Sequence, residues 1–80
     1  MTMDSEHFDQ EIDARGLNCP LPILRTKKAL STLKSGQVLK VIATDPGSKR
    51  DFQTFSRQTG NPLLRLDEAP GQWTFYMQRR

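Results

Sequence analysis

The sequence predicts one α/β domain with the element order βαβαββ, in which helices pack against a sheet as a two-layer α/β sandwich. Every glycine and proline falls between segments of regular periodicity, so these residues mark the ends of the elements. Those segments alternate between the period of about two that strands show and the period of about 3.6 that helices show. Two strand–helix units followed by a hairpin are typical of a two-layer α/β sandwich.

The length of 80 residues allows one domain, because it is about half of the ~150 residues of a typical domain. Hydrophobic residues make up 35% of the chain and charged residues 26%, which is the composition of a globular rather than a disordered chain. The first eight residues are mostly polar, and we expect residues 1–8 to form a flexible N-terminal tail. Residues 9–80 are predicted to form the single domain.

The first half of the chain is predicted to form a strand, a helix and a second strand. The first strand covers residues 10–15. The helix begins at Pro20 or Pro22 and ends at Lys34, because apolar side chains recur on one face at about 100° per residue. That face comprises Ile23, Thr26, Ala29, Leu30 and Leu33. The second strand, residues 37–44, is almost continuously apolar and is therefore predicted to be central in the sheet.

The second half of the chain begins with a short helix. Asp45 is predicted to cap it, with Pro46 at the first helical position. This helix runs to about Thr59 and buries Phe52 and Phe55. We interpret Asp45 as a helix cap rather than as a catalytic acid.

A β-hairpin is predicted to complete the domain. Its strands cover residues 62–68 and 72–79, joined by the turn Ala69-Pro70-Gly71. Alternation predicts that one face carries apolar side chains from both strands. These are Leu64 and Leu66 from the first strand and Trp73, Phe75 and Met77 from the second.

Cysteine usage and charge narrow the function classes. The only cysteine, Cys19, excludes an intramolecular disulfide framework, a CxxC redox pair and a multi-cysteine zinc site. A lone cysteine points to a reducing compartment, and the chain shows neither a signal peptide nor a membrane-spanning run, so we expect a cytoplasmic protein. A net charge of +3 permits acidic partners without requiring them.

The segment that carries chemistry is Asn18-Cys19-Pro20-Leu21-Pro22. It places Cys19 where a helix begins, and the unpaired N–H groups and the dipole of a helix N-terminus favour a thiolate over a thiol. The two prolines fix φ and stiffen the entry to the helix. Proline also disfavours helical geometry in the residue before it, so the cap is either Cys19 or Leu21.

Cys19 has no evident catalytic partner in the sequence. The only histidine, His7, falls in the predicted tail, which argues against a protease-like Cys–His pair. A nucleophile that accepts a group and passes it on remains, and a persulfide fits this role without a metal or an organic cofactor. The competing interpretation is a structural cysteine packed as a small apolar residue.

The run Leu17-Asn18-Cys19-Pro20-Leu21-Pro22, preceded by Asp13-Ala14-Arg15-Gly16, resembles the signature of the TusA (SirA-like) sulfur-carrier proteins, whose hallmark is Cys-Pro-x-Pro. The resemblance covers residues 10–80 and includes the length and the element order. It implies a mixed four-stranded sheet with two helices on one face. The motif residues Asp13, Gly16, Pro20 and Pro22 are expected to support the cysteine. For Asp13, an ordinary strand-edge charge is the alternative.

The resemblance also implies how the chain acts. Cys19 would hold sulfur as a persulfide, so that the chain works as a protein-to-protein sulfurtransferase. The donor would be a cysteine desulfurase or a rhodanese-like protein, and a downstream acceptor protein would take the sulfur toward tRNA 2-thiouridine, molybdenum cofactor or sulfur oxidation. The position between the prolines is often acidic in tRNA-thiolating members, whereas here it is Leu21, which leaves the pathway open.

One exposed face of the first helix is a candidate for partner docking. Leu21 and Leu24 fall off the buried stripe, and Lys27 lies at its edge. With Arg25 and Lys28 they form an apolar centre with a basic rim, which we call the docking face. An ordinary solvated helix surface is the competing interpretation.

A small basic RNA-binding module, with Cys19 structural, is the alternative function. The hairpin carries Trp73, Phe75 and Tyr76, which suggest the base-stacking residues of some RNA-binding sheets, although aromatic residues in a hairpin also describe a core. Lysine and arginine are spread along the chain without a dense patch or a glycine–aromatic RNA motif, which favours the sulfur carrier over direct nucleic-acid binding. The sequence leaves the oligomeric state open.

Overall fold

The computed structural model describes residues 7–80, so the first six residues of the predicted tail lie outside the described residues. The element order is βαβαββ, as predicted. The elements are β1 (Gln10–Ala14), α1 (Leu21–Leu30), β2 (Val38–Ala43), α2 (Ser48–Thr59), β3 (Leu63–Ala69) and β4 (Gln72–Gln78). Neither helix in this part of the chain has the length and apolar character that crossing a membrane requires.

The four strands form one mixed sheet in the order β1-β2-β4-β3. β1 and β2 are parallel, whereas β4 is antiparallel to both of its neighbours. α1 packs against β1 and β2, and α2 packs against β3 and β4. Leu39, Val41 and Ala43 of β2 are fully buried beneath the helices, which explains the long apolar run of this central strand.

Aromatic stacking joins the second helix to the sheet. The rings of Phe52 in α2 and Phe75 in β4 stack with their centroids 4.0 Å apart and their planes 6° from parallel. Both rings are fully buried, together with Leu39 and Met77. This contact holds the N-terminal half of α2, and with it the residues near Cys19, at a defined position on the sheet.

The first helix is shorter than predicted, because it ends at Leu30 rather than at Lys34. The Ser31 hydroxyl donates a hydrogen bond to the Lys28 carbonyl at 2.6 Å, and the Thr32 hydroxyl donates to the Ala29 carbonyl at 2.7 Å. Such bonds compete with the helical ladder and favour tight turns over further helix. The apolar spacing continues beyond the end of the helix, because the residues that follow form turns while their apolar side chains still cover the core.

The hairpin differs from the prediction at its turn and at one side chain of β3. Ala69 belongs to β3 and pairs with Gln72, so the turn is Pro70-Gly71. A bulge between Leu63 and Arg65 inserts an extra position, so Leu63 lies opposite Met77. Leu64 is 53% exposed instead of packed, whereas Leu66 lies opposite Phe75 as expected. Simple alternation placed Leu64 inward, since a bulge leaves no mark in a period-two pattern.

The hairpin aromatics are structural. Phe75 is fully buried under the helices, and Trp73 is half-buried against the same core. Tyr76 points to the opposite sheet face, yet it is only 4% exposed. The Lys40 ammonium and the Arg65 guanidinium each lie 5.9 Å from the Tyr76 ring centre, an arrangement typical of cation–π contacts. No hairpin aromatic is therefore presented as an open stacking platform for RNA bases.

Candidate functional site

Cys19 lies exposed in the loop between β1 and α1. Two contacts hold this loop against the fold. Gly16 adopts a positive φ of 79°, which favours glycine, and its N–H donates to the Thr44 hydroxyl at 2.9 Å. Leu17 packs against the hydrophobic core. Thr44, which follows β2, was not singled out from the sequence because only the tertiary fold brings it to this loop.

The turn around Cys19 leads directly into α1. The Leu21 N–H donates to the Asn18 carbonyl at 2.8 Å, which closes a turn over Cys19 and Pro20. The cap residue is Pro20, not Cys19 or Leu21, because the Pro20 carbonyl accepts a hydrogen bond from the Leu24 N–H at 3.1 Å and so begins the helical ladder. The peptide bond between Cys19 and Pro20 is cis.

Pro22 occupies the second position of α1 and is buried. Its missing N–H falls where a helix leaves backbone donors unpaired, so the proline costs no helical hydrogen bond there. Its carbonyl accepts a 2.8 Å hydrogen bond from the hydroxyl of Thr26, which is fully buried. Pro22 thus joins the entry turn to the core and is not only a stiffener of the loop.

The N-terminus of α2 brings carboxylates to Cys19. Hydrogen bonding to the Asp51 carboxylate raises the pKa of the Cys19 thiol, and partial desolvation and the negative charges of Asp51 and Asp45 raise it further. The positive charge of Arg50 acts in the opposite direction. The expectation of a favoured thiolate is therefore wrong for the free chain. Local helix geometry suggested a lower pKa, whereas the tertiary fold adds two carboxylates.

Asp45 is not the cap of α2, contrary to the prediction. The cap position belongs to Gly47, and no side chain caps the helix. Asp45 instead holds the preceding turn: its carboxylate accepts a hydrogen bond from the Gly47 N–H at 3.0 Å, and its carbonyl accepts one from the Ser48 N–H at 3.0 Å. Asp45 therefore stabilises the turn before α2 without occupying the cap position.

Gly47 lies against both carboxylates at this helix entry. A β-carbon at Gly47 would stand 3.1 Å from Oδ2 of Asp45 and 3.7 Å from Oδ2 of Asp51. The missing side chain leaves room for the two acidic groups to gather beside one turn. Their proximity explains why both add negative potential at Cys19.

Asp13 pairs with Arg15 at the start of the Cys19 loop. The two side chains form a double contact of 2.9 and 3.0 Å, and the Arg15 N–H also donates to the Asp13 carboxylate at 3.0 Å. These hydrogen bonds lower the pKa of Asp13 to about 2. Both residues are exposed, so Asp13 is a strand-edge charge that orders the loop start through its neighbour.

The residues of the docking face lie on the exposed side of α1. Leu21 and Leu24 are 47% and 53% exposed, which follows from their position off the buried stripe. Arg25 and Lys28 are exposed beside them. Lys27, at the edge of the face, also lines a groove toward α2. Within residues 7–80, no cluster of three or more acidic, histidine or cysteine side chains is placed to hold a metal ion.

Known proteins resemble this chain over nearly its whole length. The chain is 60% identical over 72 residues to the sulfur carrier protein TusA of Allochromatium vinosum, covering 90% of this chain and 95% of that protein. It is 49% identical over 71 residues to a putative sulfur carrier protein of Neisseria meningitidis serogroup A, covering 89% and 96% of the two chains.

A solved structure and a family profile agree with those relatives. The crystal structure of a SirA-like protein from Desulfitobacterium hafniense superposes with a TM-score of 0.76 at 28% identity, over 88% of this chain and 96% of that one. This likeness confirms the expected fold of two helices on a mixed four-stranded sheet. The family profile described as "Sulfurtransferase TusA" matches residues 10–79. The chain therefore belongs to the TusA family and is a sulfur carrier that works between a sulfur donor and an acceptor protein.

Proposed function

We propose that this chain carries sulfur as a persulfide on Cys19. The observation that carries the proposal is that the only cysteine of the sequence is exposed at the entry of α1. The site supplies one nucleophilic sulfur, neighbouring carboxylates and an adjacent apolar face. These features serve transfer between two proteins without a bound cofactor.

Loading exchanges one S–S bond for another. The Cys19 sulfur, as a thiolate, attacks the outer sulfur of a persulfide on the donor, and a new S–S bond forms at Cys19. The S–S bond of the donor breaks, and the donor cysteine leaves as a thiolate that takes up a proton. Delivery repeats the exchange, as an acceptor thiolate attacks the outer sulfur and releases Cys19. No net oxidation or reduction occurs, because one sulfur atom changes its carrier.

Asp51 influences the protonation of the Cys19 sulfur in both loading and delivery. In the free chain it keeps the Cys19 thiol protonated, since its hydrogen bond and charge raise the pKa of that thiol. For loading, Asp51 accepts the thiol proton and passes it to solvent, so that Cys19 attacks as a thiolate. During delivery, the departing Cys19 sulfur takes up a proton from solvent, and the hydrogen bond and charge of Asp51 favour this thiol form. The negative charge of Asp45 also raises the pKa of Cys19, and the positive charge of Arg50 lowers it.

The docking face receives the partner next to Cys19. Exposed Leu21 and Leu24 offer apolar contact area beside the sulfur, and cationic residues form the rim. Arg25, Lys27 and Lys28 provide these charges. The donor is a cysteine desulfurase or a rhodanese-like protein, and the acceptor acts in tRNA 2-thiouridine synthesis or another cytoplasmic sulfur-trafficking pathway. The unit that acts is the single domain of residues 9–80, which follows the N-terminal tail.

A loading assay tests the proposal. The chain is incubated with a cysteine desulfurase and free cysteine, and its intact mass is measured before and after treatment with a reductant. We expect a mass increase of one sulfur atom that the reductant removes. Cys19→Ser is the matched control and keeps the fold, because residue 19 is exposed. The proposal is rejected if the Ser variant loads as well as the unaltered chain, or if neither a desulfurase nor a rhodanese-like donor loads the unaltered chain.

A further inference from the structure

A basic groove lies between the C-terminal ends of the two helices. It has a volume of about 530 Å³ and is lined by residues of α1, of α2 and of the segment after β4. Four lining residues are cationic: Lys27, Arg57, Arg79 and Arg80. Among the residues that line the groove, none is acidic. Most are exposed, so the groove opens to solvent along the protein surface.

The four cations have no ionic partner within residues 7–80, whereas Arg15, Lys40 and Lys49 are paired with carboxylates. Weaker contacts orient all three arginines. The Arg57 guanidinium donates to the Thr54 hydroxyl at 3.4 Å. The Arg79 Nε donates to the Leu33 carbonyl at 3.4 Å, and the Arg80 side chain crosses Gly60 at the end of α2. Those contacts leave guanidinium donors available for carboxylate oxygens.

The base of the groove is apolar. Leu30 and Phe55 line it, and both belong to the hydrophobic core, with 3% and 8% of their surface exposed. A ligand that fits must therefore combine several negative charges, spaced to meet cations on separate elements, with an apolar group between them. A polypeptide segment of mixed acidic and apolar side chains has this chemistry.

We propose that this basic groove binds an acidic segment of a partner protein. RNA fits less well, because single-stranded nucleic acid binding relies on exposed aromatic faces, and the one aromatic residue that lines the groove is buried. Lys27 and Leu30 lie in the second half of α1, roughly 9 Å or more along the helix from its start next to Cys19. The groove is thus a second anchoring point, and its binding does not depend on sulfur at Cys19.

Peptide binding by the full chain tests the proposal. The probe is a fluorescein-labelled peptide of alternating glutamate and leucine residues, and its anisotropy is followed in low salt and at physiological salt. The charge control is the same peptide with glutamine in place of glutamate. Single-stranded polyuridine, labelled in the same way, is the competing ligand. We expect the glutamate peptide to bind at least roughly tenfold more tightly than the glutamine peptide, because charge-assisted hydrogen bonds are lost in the latter.

Paired charge reversals locate the binding site. Arg57→Glu with Arg80→Glu alters the groove, whereas Lys34→Glu with Lys49→Glu makes the same change in net charge at exposed positions outside it. We expect the groove variant to weaken peptide binding roughly tenfold or more, and the outside variant to change it less than about threefold. Circular dichroism checks folding. If the groove variant does not fold, Arg57→Gln with Arg80→Gln replaces it, with a smaller loss expected.

The outcomes separate this proposal from the sulfur-carrier mechanism. Equal losses in both double variants, equal binding of the two peptides, or tighter binding of polyuridine than of peptide would each overturn the groove proposal. Sulfur loading of Cys19 is measured on the same samples by intact mass. If the chain binds the peptide but Cys19 does not load, the groove proposal stands and the persulfide proposal is rejected. If Cys19 loads but the peptide does not bind, the persulfide proposal stands and the groove proposal is rejected.

Discussion

The Asp51 carboxylate in α2 accepts a hydrogen bond from the Cys19 thiol in the β1–α1 loop and raises the pKa of that thiol. Cys19 is therefore held as a thiol at neutral pH in the free chain. A partner that brings a cation near Cys19 would favour the thiolate at the moment of contact. Such control keeps a solvent-exposed cysteine from reacting with unrelated electrophiles, since the thiolate is the nucleophilic form.

Asp51→Asn tests this relationship. We expect the pKa of Cys19 to fall, because the amide retains the size of the side chain and removes its negative charge. The rate of alkylation by iodoacetamide, measured as a function of pH, reports the thiolate fraction. Its midpoint is expected to move to lower pH, so that the variant reacts faster than the unaltered chain at pH 7. Asp67→Asn on β3 is the control and should leave the midpoint unchanged. An unchanged midpoint in Asp51→Asn would show that Asp51 does not control the thiol.

The pairing of Asp13 with Arg15 gives a second pH prediction. The pKa of Asp13 is lowered to about 2, so its contribution to stability is present above the unfolded pKa of about 4 and is lost as the pH falls through about 2. We expect the Asp13 carboxyl to titrate near pH 2 when its side-chain carbon is followed by NMR. In Arg15→Gln the midpoint should return toward its ordinary value. A midpoint near 4 in the unaltered chain would contradict the pairing.

The two faces of α1 should respond differently to substitution. Leu24→Glu is expected to leave the free energy of unfolding almost unchanged, because Leu24 is 53% exposed, and to weaken binding of a sulfur donor. Leu30→Ala is expected to cost about 2–5 kcal/mol of that free energy, since Leu30 is 3% exposed in the core. Urea denaturation measures stability, and calorimetric titration with a cysteine desulfurase measures binding. A large stability loss in Leu24→Glu would show that Leu24 is a packing residue rather than a docking residue.

The element order of the fold was predictable because glycine and proline act locally. The long apolar run of β2 predicted its central position in the sheet, because a continuous apolar run indicates a strand that is buried on both faces. The bulge at Leu64 was not predictable, because an extra residue in a strand leaves the alternation around it almost intact. The residues in this segment reveal the inserted position only when β3 is paired with β4.

The Cys19 site was likewise predictable only in part. Exposure of Leu21 followed from the angular spacing along α1, and exposure of Cys19 followed from its place in the loop at the helix entry. The raised pKa of Cys19 did not, because Asp51 lies on another element and reaches the sulfur only through the stacking of Phe52 on Phe75 that positions α2. Local reasoning included the helix dipole and omitted the carboxylates, and so it predicted the wrong direction.

Pro22 joins the reactive turn to the core, and this connection leads to the last prediction. The ring of Pro22 is buried, and its carbonyl accepts the Thr26 hydroxyl at 2.8 Å. Proline also restrains Leu21 before it. Replacing Pro22 by alanine would keep the carbonyl and the hydrogen bond while removing the ring and the restraint. The turn that holds Cys19 would then sample more conformations.

We therefore expect Pro22→Ala to retain the fold, with some loss of stability, and to keep the alkylation midpoint of Cys19, because Asp51 is unchanged. Delivery of sulfur should slow, since attack on a persulfide requires the reacting sulfurs to align and misalignment costs orders of magnitude in rate. The measurement is single-turnover transfer from chains preloaded to the same extent, at sub-saturating acceptor. Ile23→Val, a half-buried neighbour in α1, controls for lost packing alone. Equal transfer rates in Pro22→Ala and the unaltered chain would leave Pro22 as a packing residue with no part in positioning Cys19.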